Sequence, residues 1–181
     1  FVTDARIVKL KEAFEIKPLS DSQYGYHFLT DLDPVYVLFT SGSTGVPKGV
    51  TISHRGVIDY IEWLHDTFHF DENTVFGNQA PFFFDNSILD IYSTLRSGST
   101  TIILPEKLFM FPARLLEYMK EKRINTIFWV PSALVGVANS GSLDLVRLDD
   151  IRRVLFCGEV MPTKQLNMWR KAYPNALYAN L

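Results

Sequence analysis

This 181-residue sequence predicts an open α/β fold, with a mostly parallel sheet and helices on both faces. Three observations carry that prediction. From Asp31 onward, short β-rich runs alternate with stretches whose apolar residues recur at helical spacing. Most of the β-rich runs are near-continuously apolar, as strands covered on both faces are. Proline or glycine marks most of the junctions between the two kinds of segment.

The strands are expected at Val35–Thr40, Thr74–Gln79, Thr100–Leu104, Asn125–Val130, Arg153–Cys157 and Asn175–Asn180. Ser53 is a natural N-cap for a helix from His54 to Phe68, where Val57, Ile58, Ile61, Leu64 and Phe68 form the apolar face. Asp85 or Asn86 can start a second helix that runs through Leu95 and stops at Ser97-Gly98. Pro112 opens a third, carrying Leu115, Leu116 and Met119 and ending in Lys120-Glu121-Lys122-Arg123. Pro131 opens a short fourth helix. Pro162 opens a fifth that runs to about Tyr173, before Pro174. Residues 1–30 lack the alternation and read as a partly irregular leading segment; residues 31–181 form the α/β unit. The opening residues, FVTDARIVKLKEAFE, have no apolar core before a cleavage site and are not expected to be a signal peptide.

Bulk properties exclude more than they select. A net charge of −2 gives no electrostatic case for nucleic acid as a partner. No apolar run approaches membrane-spanning length, so no membrane insertion is expected. The single cysteine, Cys157, rules out an internal disulfide and fits a reducing, cytoplasmic setting.

The stretch FTSGSTGVPKG, Phe39 to Gly49, follows an apolar run and spends its positions on glycines and small hydroxyl residues. It is not a Walker loop, because Pro47 stands where that pattern needs glycine and Gly49 where it needs a hydroxyl. It also leads into the strand-like Gly49-Val50-Thr51-Ile52 rather than a helix, so no helix N-terminus would face a phosphate. Two readings remain on composition alone. The loop is a solvated turn, or its freed N–H groups form an anion nest with the hydroxyls and Lys48 as further donors.

The order Thr-Ser-Gly-Ser-Thr-Gly-x-Pro-Lys-Gly, Thr40 to Gly49, resembles the phosphate loop of the AMP-forming ligases: acyl-CoA synthetases, luciferases and amino-acid adenylation domains. Ser53-His54-Arg55 resembles the same family. The resemblance implies that Thr40, Ser41, Gly42, Ser43, Thr44, Gly45 and Lys48 hold the β and γ phosphates of ATP while a carboxylate attacks the α phosphate.

QAPFFFDNSILDIY, Gln79 to Tyr92, sets one aspartate after three phenylalanines. Asp85 suits a helix N-cap. It also resembles the Phe-Asp-x-Ser motif of adenylation domains that activate amino acids, in which the aspartate pairs with the substrate ammonium. Capping occupies one oxygen, so the two roles are compatible. LFCGEVMP, Leu155 to Pro162, places Cys157 at the end of an expected strand, where open α/β sheets collect ligands. A free cysteine is usually a small buried hydrophobe; no histidine is placed beside it, so a wall is expected rather than a nucleophile. Phe-Cys-Gly-Glu-Val-x-Pro resembles the D-alanine–carrier protein ligases, which implies a side-chain pocket lined by Asp85, Asn86, Leu89, Ser132, Leu155, Cys157 and Leu181. Asn86 departs from the usual apolar residue of that pattern, which leaves another small polar amino acid open.

Tyr178-Ala179-Asn180-Leu181 resembles the run into Tyr-Gly-Pro-Thr-Glu, which places Asn180 and Leu181 by the nucleotide. The resemblance covers about Asp31 to Leu181. The adenine-stacking tyrosine, the Mg²⁺-binding glutamate and the lysine of a small C-terminal domain are expected beyond Leu181, so residues 1–181 alone are expected to form no adenylate. The implied partners are ATP, Mg²⁺, a small amino acid and a phosphopantetheinylated carrier protein. The rival readings are an acyl- or aryl-CoA synthetase and a non-catalytic carrier-docking domain.

Overall fold

The computed structural model describes residues 29–40 and 46–181, which form two sheets. Strands β1 (Pro34–Thr40) and β2 (Lys48–Ser53) make an antiparallel hairpin in which Thr40 faces Lys48. The other strands are β3 (Val75–Asn78), β4 (Thr100–Ile103), β5 (Thr126–Trp129), β6 (Arg153–Phe156) and β7 (Leu177–Asn180). They form one parallel sheet in the order β4-β3-β5-β6-β7.

The helices connecting them are α1 (His54–Phe68), α2 (Ser87–Ser97), α3 (Pro112–Glu121), α4 (Pro131–Asn139) and α5 (Thr163–Ala172). Strand alternation sorts the core into two layers. Ile127 and Trp129 of β5, with Val154 and Phe156 of β6, pack against α3, α4 and α5. Phe128 and Leu155 point the other way, onto Val57, Ile61 and Leu64 of α1 and Leu89 of α2. The central strands are therefore buried on both faces, which is why they read as unbroken apolar runs. The sheet also draws tight at Gly77 in β3. A Cβ there would lie 2.9 Å from the Ile124 side chain, and the Gly77 carbonyl accepts the Trp129 indole N–H at 2.8 Å.

Local signals set most boundaries. The Ser53 hydroxyl accepts the Gly56 N–H and caps α1. Gly98, at φ 64°, ends α2, and Pro112 and Pro131 stand in the first turns of α3 and α4. Strands β3 to β6 stop one residue short of expectation at one or both ends, β7 begins two residues late at Leu177, and α5 opens at Thr163, with Pro162 as its cap residue. Two short 3-10 turns, Glu106–Met110 and Ser142–Asp144, were not anticipated.

Two expectations need correction. The run Val35–Thr40 is expected among the strands of a single, mostly parallel sheet. It belongs to a separate hairpin, and its Phe39 is 72% exposed. The reason is length: the seven residues between Thr40 and Lys48 cannot make a parallel crossover, which needs a dozen or more. The second correction concerns the start of α2. Asn86 occupies the cap position without a side-chain cap bond. The turn is closed instead by Phe84, whose carbonyl accepts both the N–H and the hydroxyl of Ser87, and by Ile88 N–H to the Asp85 carbonyl. The expected leading segment, residues 1–28 of it, and loop residues Ser41–Gly45 lie outside the described residues.

Candidate functional site

At the C-terminal ends of β5, β6 and β7 the sheet opens into a cleft of about 400 Å³. Three other elements close round it. The base of the β1–β2 hairpin contributes Tyr36 and Ile52, the first turns of α1 contribute Tyr60 and Trp63, and the entry to α2 contributes Asp85 and Asn86. Phe128, Cys157 and Leu181 form the floor at the strand ends. Ligand sites gather at this end of parallel sheets because loops there are free to vary while strands fix their roots.

Among the described residues, Asp85 is the one charged residue lining the cleft. A short turn, held by the Phe84 N–H to the Pro81 carbonyl at 2.9 Å, carries it to the rim. Its side chain is exposed and makes no hydrogen bond or ion pair with another described residue. Its field is nonetheless felt inside. Burial raises the Tyr36 phenol and Asp85 raises it further; burial and then the charges of Cys157, Asp90 and Asp85 raise Tyr60. Burial, the larger cause, disfavours charge of either sign in the cleft; only the smaller Asp85 contribution is one that a cation would relieve.

Cys157 is half-buried and donates to the Asn86 side-chain oxygen at 3.4 Å. Burial pushes the thiol up, and the nearby Asp85 carboxylate adds to the shift. Such a thiol stays protonated and is a poor nucleophile. Together, Cys157 and Asn86 narrow the base of the cleft with one weak polar contact.

The other nominated residues separate from this group. Leu89 and Leu155 are fully buried in the layer beneath the cleft and do not line it. Ser132 sits on a neighbouring, larger and mostly apolar cleft with Gln79, Phe82 and Phe109. Asn180 is exposed at the end of β7, while Leu181 N–H bonds the Phe156 carbonyl at 2.9 Å and so turns Leu181 into the cleft. Of the glycine loop, Lys48 is exposed at the start of β2 and Thr40 faces it across the hairpin; Ser41, Gly42, Ser43, Thr44 and Gly45 lie outside the described residues. Tyr36, Tyr60 and Trp63 were not nominated. Tyr60 and Trp63 stand three apart on α1 with rings 6.1 Å apart, a spacing readable from sequence, but only the hairpin turns them into a wall.

Ser132 has a further role. Its N–H donates to Glu159 Oε2 at 2.9 Å and its hydroxyl to Oε1 at 3.3 Å. No residue at the head of α4 caps it, so Glu159 supplies the cap from the loop after β6. That loop turns on Gly158, at φ 89°, where a side chain would be strained. Glu159→Ala is expected to destabilise the protein by about 1 kcal/mol, as loss of an N-cap does, and Glu159→Gln by less. Urea unfolding of both variants checks this, and equal midpoints for all three proteins would dismiss the cap.

Among the described residues, no group of three or more His, Cys, Asp or Glu side chains could hold a metal ion. No helix in the described residues is long and apolar enough to cross a membrane.

Comparison with known proteins agrees with this architecture. The family model described as AMP-binding enzyme matches residues 6–180. The chain is 39% identical over 149 residues to an L-proline–[L-prolyl-carrier protein] ligase of Pseudomonas fluorescens, covering 82% of this chain and 30% of that protein. It is 33% identical over 154 residues to a D-alanine–D-alanyl carrier protein ligase of Bacillus cytotoxicus, covering 85% and 31%. Among solved structures, the Vibrio cholerae adenylation domain AlmE in complex with glycyl-adenosine-5'-phosphate superposes with a TM-score of 0.72 at 25% identity, covering 83% of this chain and 28% of that one. The chain thus spans about a third of the length of the curated relatives it matches. With its parallel sheet and the match running through nearly all of its residues, the chain belongs to the AMP-binding enzyme family.

Proposed function

We propose that this chain is part of a ligase that activates a small amino acid with ATP, releases pyrophosphate, and passes the aminoacyl group from its adenylate to the phosphopantetheine thiol of a carrier protein. The observation that carries the reading is Asp85, a carboxylate at the cleft rim that, among the described residues, has no partner and is the one charged group lining the cleft. An acyl or aryl substrate has no use for it, and an α-ammonium does. The chemistry asks the protein for position and charge rather than for a nucleophile. Lys48 and the hydroxyls of Thr40, Ser41, Ser43 and Thr44 would hold the departing phosphates, Asp85 the amine, and Asn180 the nucleotide.

For the amino acid, the run Phe156-Cys157-Gly158-Glu159 and the half-buried Cys157 at the base support D-alanine, while Asn86 beside it keeps another small polar amino acid open. The 39% identity to a prolyl ligase supports L-proline as the second reading. ATP–pyrophosphate exchange by the full-length protein, screened over D-alanine, L-alanine, glycine, L-serine and L-proline, tests both. Exchange with D-alanine above the others supports the first reading, and exchange with L-proline replaces it by the second. Exchange with none of them, or with aryl acids instead, overturns the amino-acid reading.

Cys157→Ala is expected to keep activity and to relax selection toward larger side chains. The change should be graded, since one extra methylene is worth ~1–3 kcal/mol in such a pocket. The same screen on the variant reads it. Complete loss of turnover in a folded Cys157→Ala enzyme would restore a covalent role for the thiol.

A further inference from the structure

Helix α2 meets the sheet through a polar contact as dry as the core around it. Asp90 is 0% exposed, and its Oδ2 accepts the Asn78 side-chain amide at 2.8 Å. Its other oxygen, Oδ1, has no partner. Neither has the hydroxyl of Ser93, three residues on along the same helix and equally buried. Residues spaced this way stand on one helix face.

A carboxylate here would be a desolvated charge with one hydrogen bond and no counter-ion, an arrangement proteins avoid. Among the described residues, no neighbouring element supplies the missing cation. β3 and β4 carry no titratable side chain at all. From α1 the group that senses Asp90 is the Tyr60 phenol. α2 itself adds Tyr92, which is never cationic, and Arg96, which is committed to Glu62, with Nε 2.6 Å from Oε1 at the surface; Asp85, just before the helix, is of the same sign as Asp90. Two orphan oxygens of complementary capacity remain on one helix face: an acid that can donate if protonated, and a hydroxyl that can accept.

We propose that Asp90 is carried as the neutral acid, and that its Oδ1 proton, relayed to the Ser93 hydroxyl through one buried water because the two atoms make no direct bond, completes a latch that seats α2 on the end of β3. Asn78 forms the sheet side of that latch; its backbone carbonyl also accepts the Leu104 N–H, so the contact joins α2 to both β3 and the exit of β4. Burial holds the Asp90 carboxyl up at about 7, with the Asn78 bond opposing the shift. Asp90 is thus a positioning residue. It lies in the helix whose entry turn presents Asp85 and Asn86, and this consequence rests on the amino-acid reading above.

The sign of the pH effect follows. An acid whose folded value lies above its unfolded value favours the folded state most when protonated in both, below about pH 4. This contribution falls as pH rises from there to about 7 and then levels off. Asp90→Asn keeps the shape, accepts from Asn78, donates to the same water and cannot ionise.

The test uses the full-length protein. Carboxyl ¹³C NMR of the wild type, with the Asp90 signal assigned by its absence in Asp90→Asn, is expected to show a titration near neutrality. Between pH 5 and 7 the thermal midpoint of Asp90→Asn should fall less than that of the wild type. Asp90→Leu, which cannot form the latch, should lose amino-acid kcat/KM by about tenfold or more, as small misplacements of a binding group do, with the KM for ATP unchanged. Titration of Asp90 in the ordinary carboxylate range overturns the latch. So does a wild-type pH dependence of stability that survives in Asp90→Asn. Should the asparagine variant fail to fold, isotope labelling of the wild type alone, read as a carboxyl that titrates near neutrality or does not, decides the matter. A latch verified by NMR together with unchanged amino-acid kinetics in Asp90→Leu leaves the latch standing and overturns its role in placing Asp85, whereas the ammonium reading itself stands or falls with Asp85→Asn.

Discussion

Asp85→Asn in the full-length protein is expected to weaken amino-acid binding about 30-fold or more while leaving ATP affinity nearly unchanged. The substitution is close to isosteric and removes only the charge. Losing one partner of a desolvated ion pair costs ~2–5 kcal/mol, whereas an exposed pair is worth ~0–1 kcal/mol. Asp85 itself lies at an exposed rim, but Tyr36, Tyr60, Trp63 and Ile88 make most of the surrounding wall apolar. A bound amino acid would cover the carboxylate on that side, which places the expected effect at the low end, about 2 kcal/mol.

The structure also supplies the control. Because the Asp85 side chain caps nothing in α2, the asparagine variant should unfold within about 0.5 kcal/mol of the wild type, like other surface substitutions. Pyrophosphate-exchange kinetics at varied amino acid and at varied ATP, alongside urea unfolding, give both numbers. Normal activation by the variant would end the ammonium reading. Impaired activation with an equal loss of stability would return Asp85 to a structural role.

Much of this architecture could be read from the chain because its punctuation is strong. Ser53, Gly98, Pro112, Pro131 and Pro162 each mark a helix end within a residue of where it falls. The doubly buried β5 and β6 announce themselves by composition. What misled was β1, whose apolar run looks the same whether a second sheet face or only a hairpin partner covers it. The length of the loop after it was the better signal. At the cleft, Asp85, Asn86, Cys157 and Leu181 come together for a topological reason: each follows the end of a parallel strand, and parallel strands all end on one side. The aromatic wall had no comparable cue, because Tyr36 and Trp63 meet only after the hairpin folds back on α1. Leu89 and Leu155 lie beneath the cleft because period-2 and helical alternation turn them to the core. Asp90 was hidden for the opposite reason. A charged residue in an amphipathic helix reads as surface, and only the packed sheet reveals that it faces inward.

Trp129→Ala is expected to be the most damaging single truncation in the sheet, at ~3–5 kcal/mol, the range for removing a buried tryptophan. That is a large share of the ~5–15 kcal/mol that holds an ordinary domain together. Trp129 is fully buried at the end of β5, with its ring 5.1 Å from Phe109 and 6.5 Å from Trp169, both edge-on. Its loss empties the junction of β5 with α5 and the Glu106–Met110 turn. It also strips the Gly77 carbonyl of the indole N–H, at a position of β3 too tightly packed to accept a side chain. Trp129→Phe separates the two effects. The phenyl ring restores much of the volume but not the indole hydrogen bond, so about 1 kcal/mol of the loss should remain. Urea midpoints and slopes for the three proteins measure this, with an unchanged slope showing that the unfolding transition itself is the same. An alanine variant within 1 kcal/mol of the wild type would mean that α5 and the turn collapse into the space, and that the sheet does not depend on this residue.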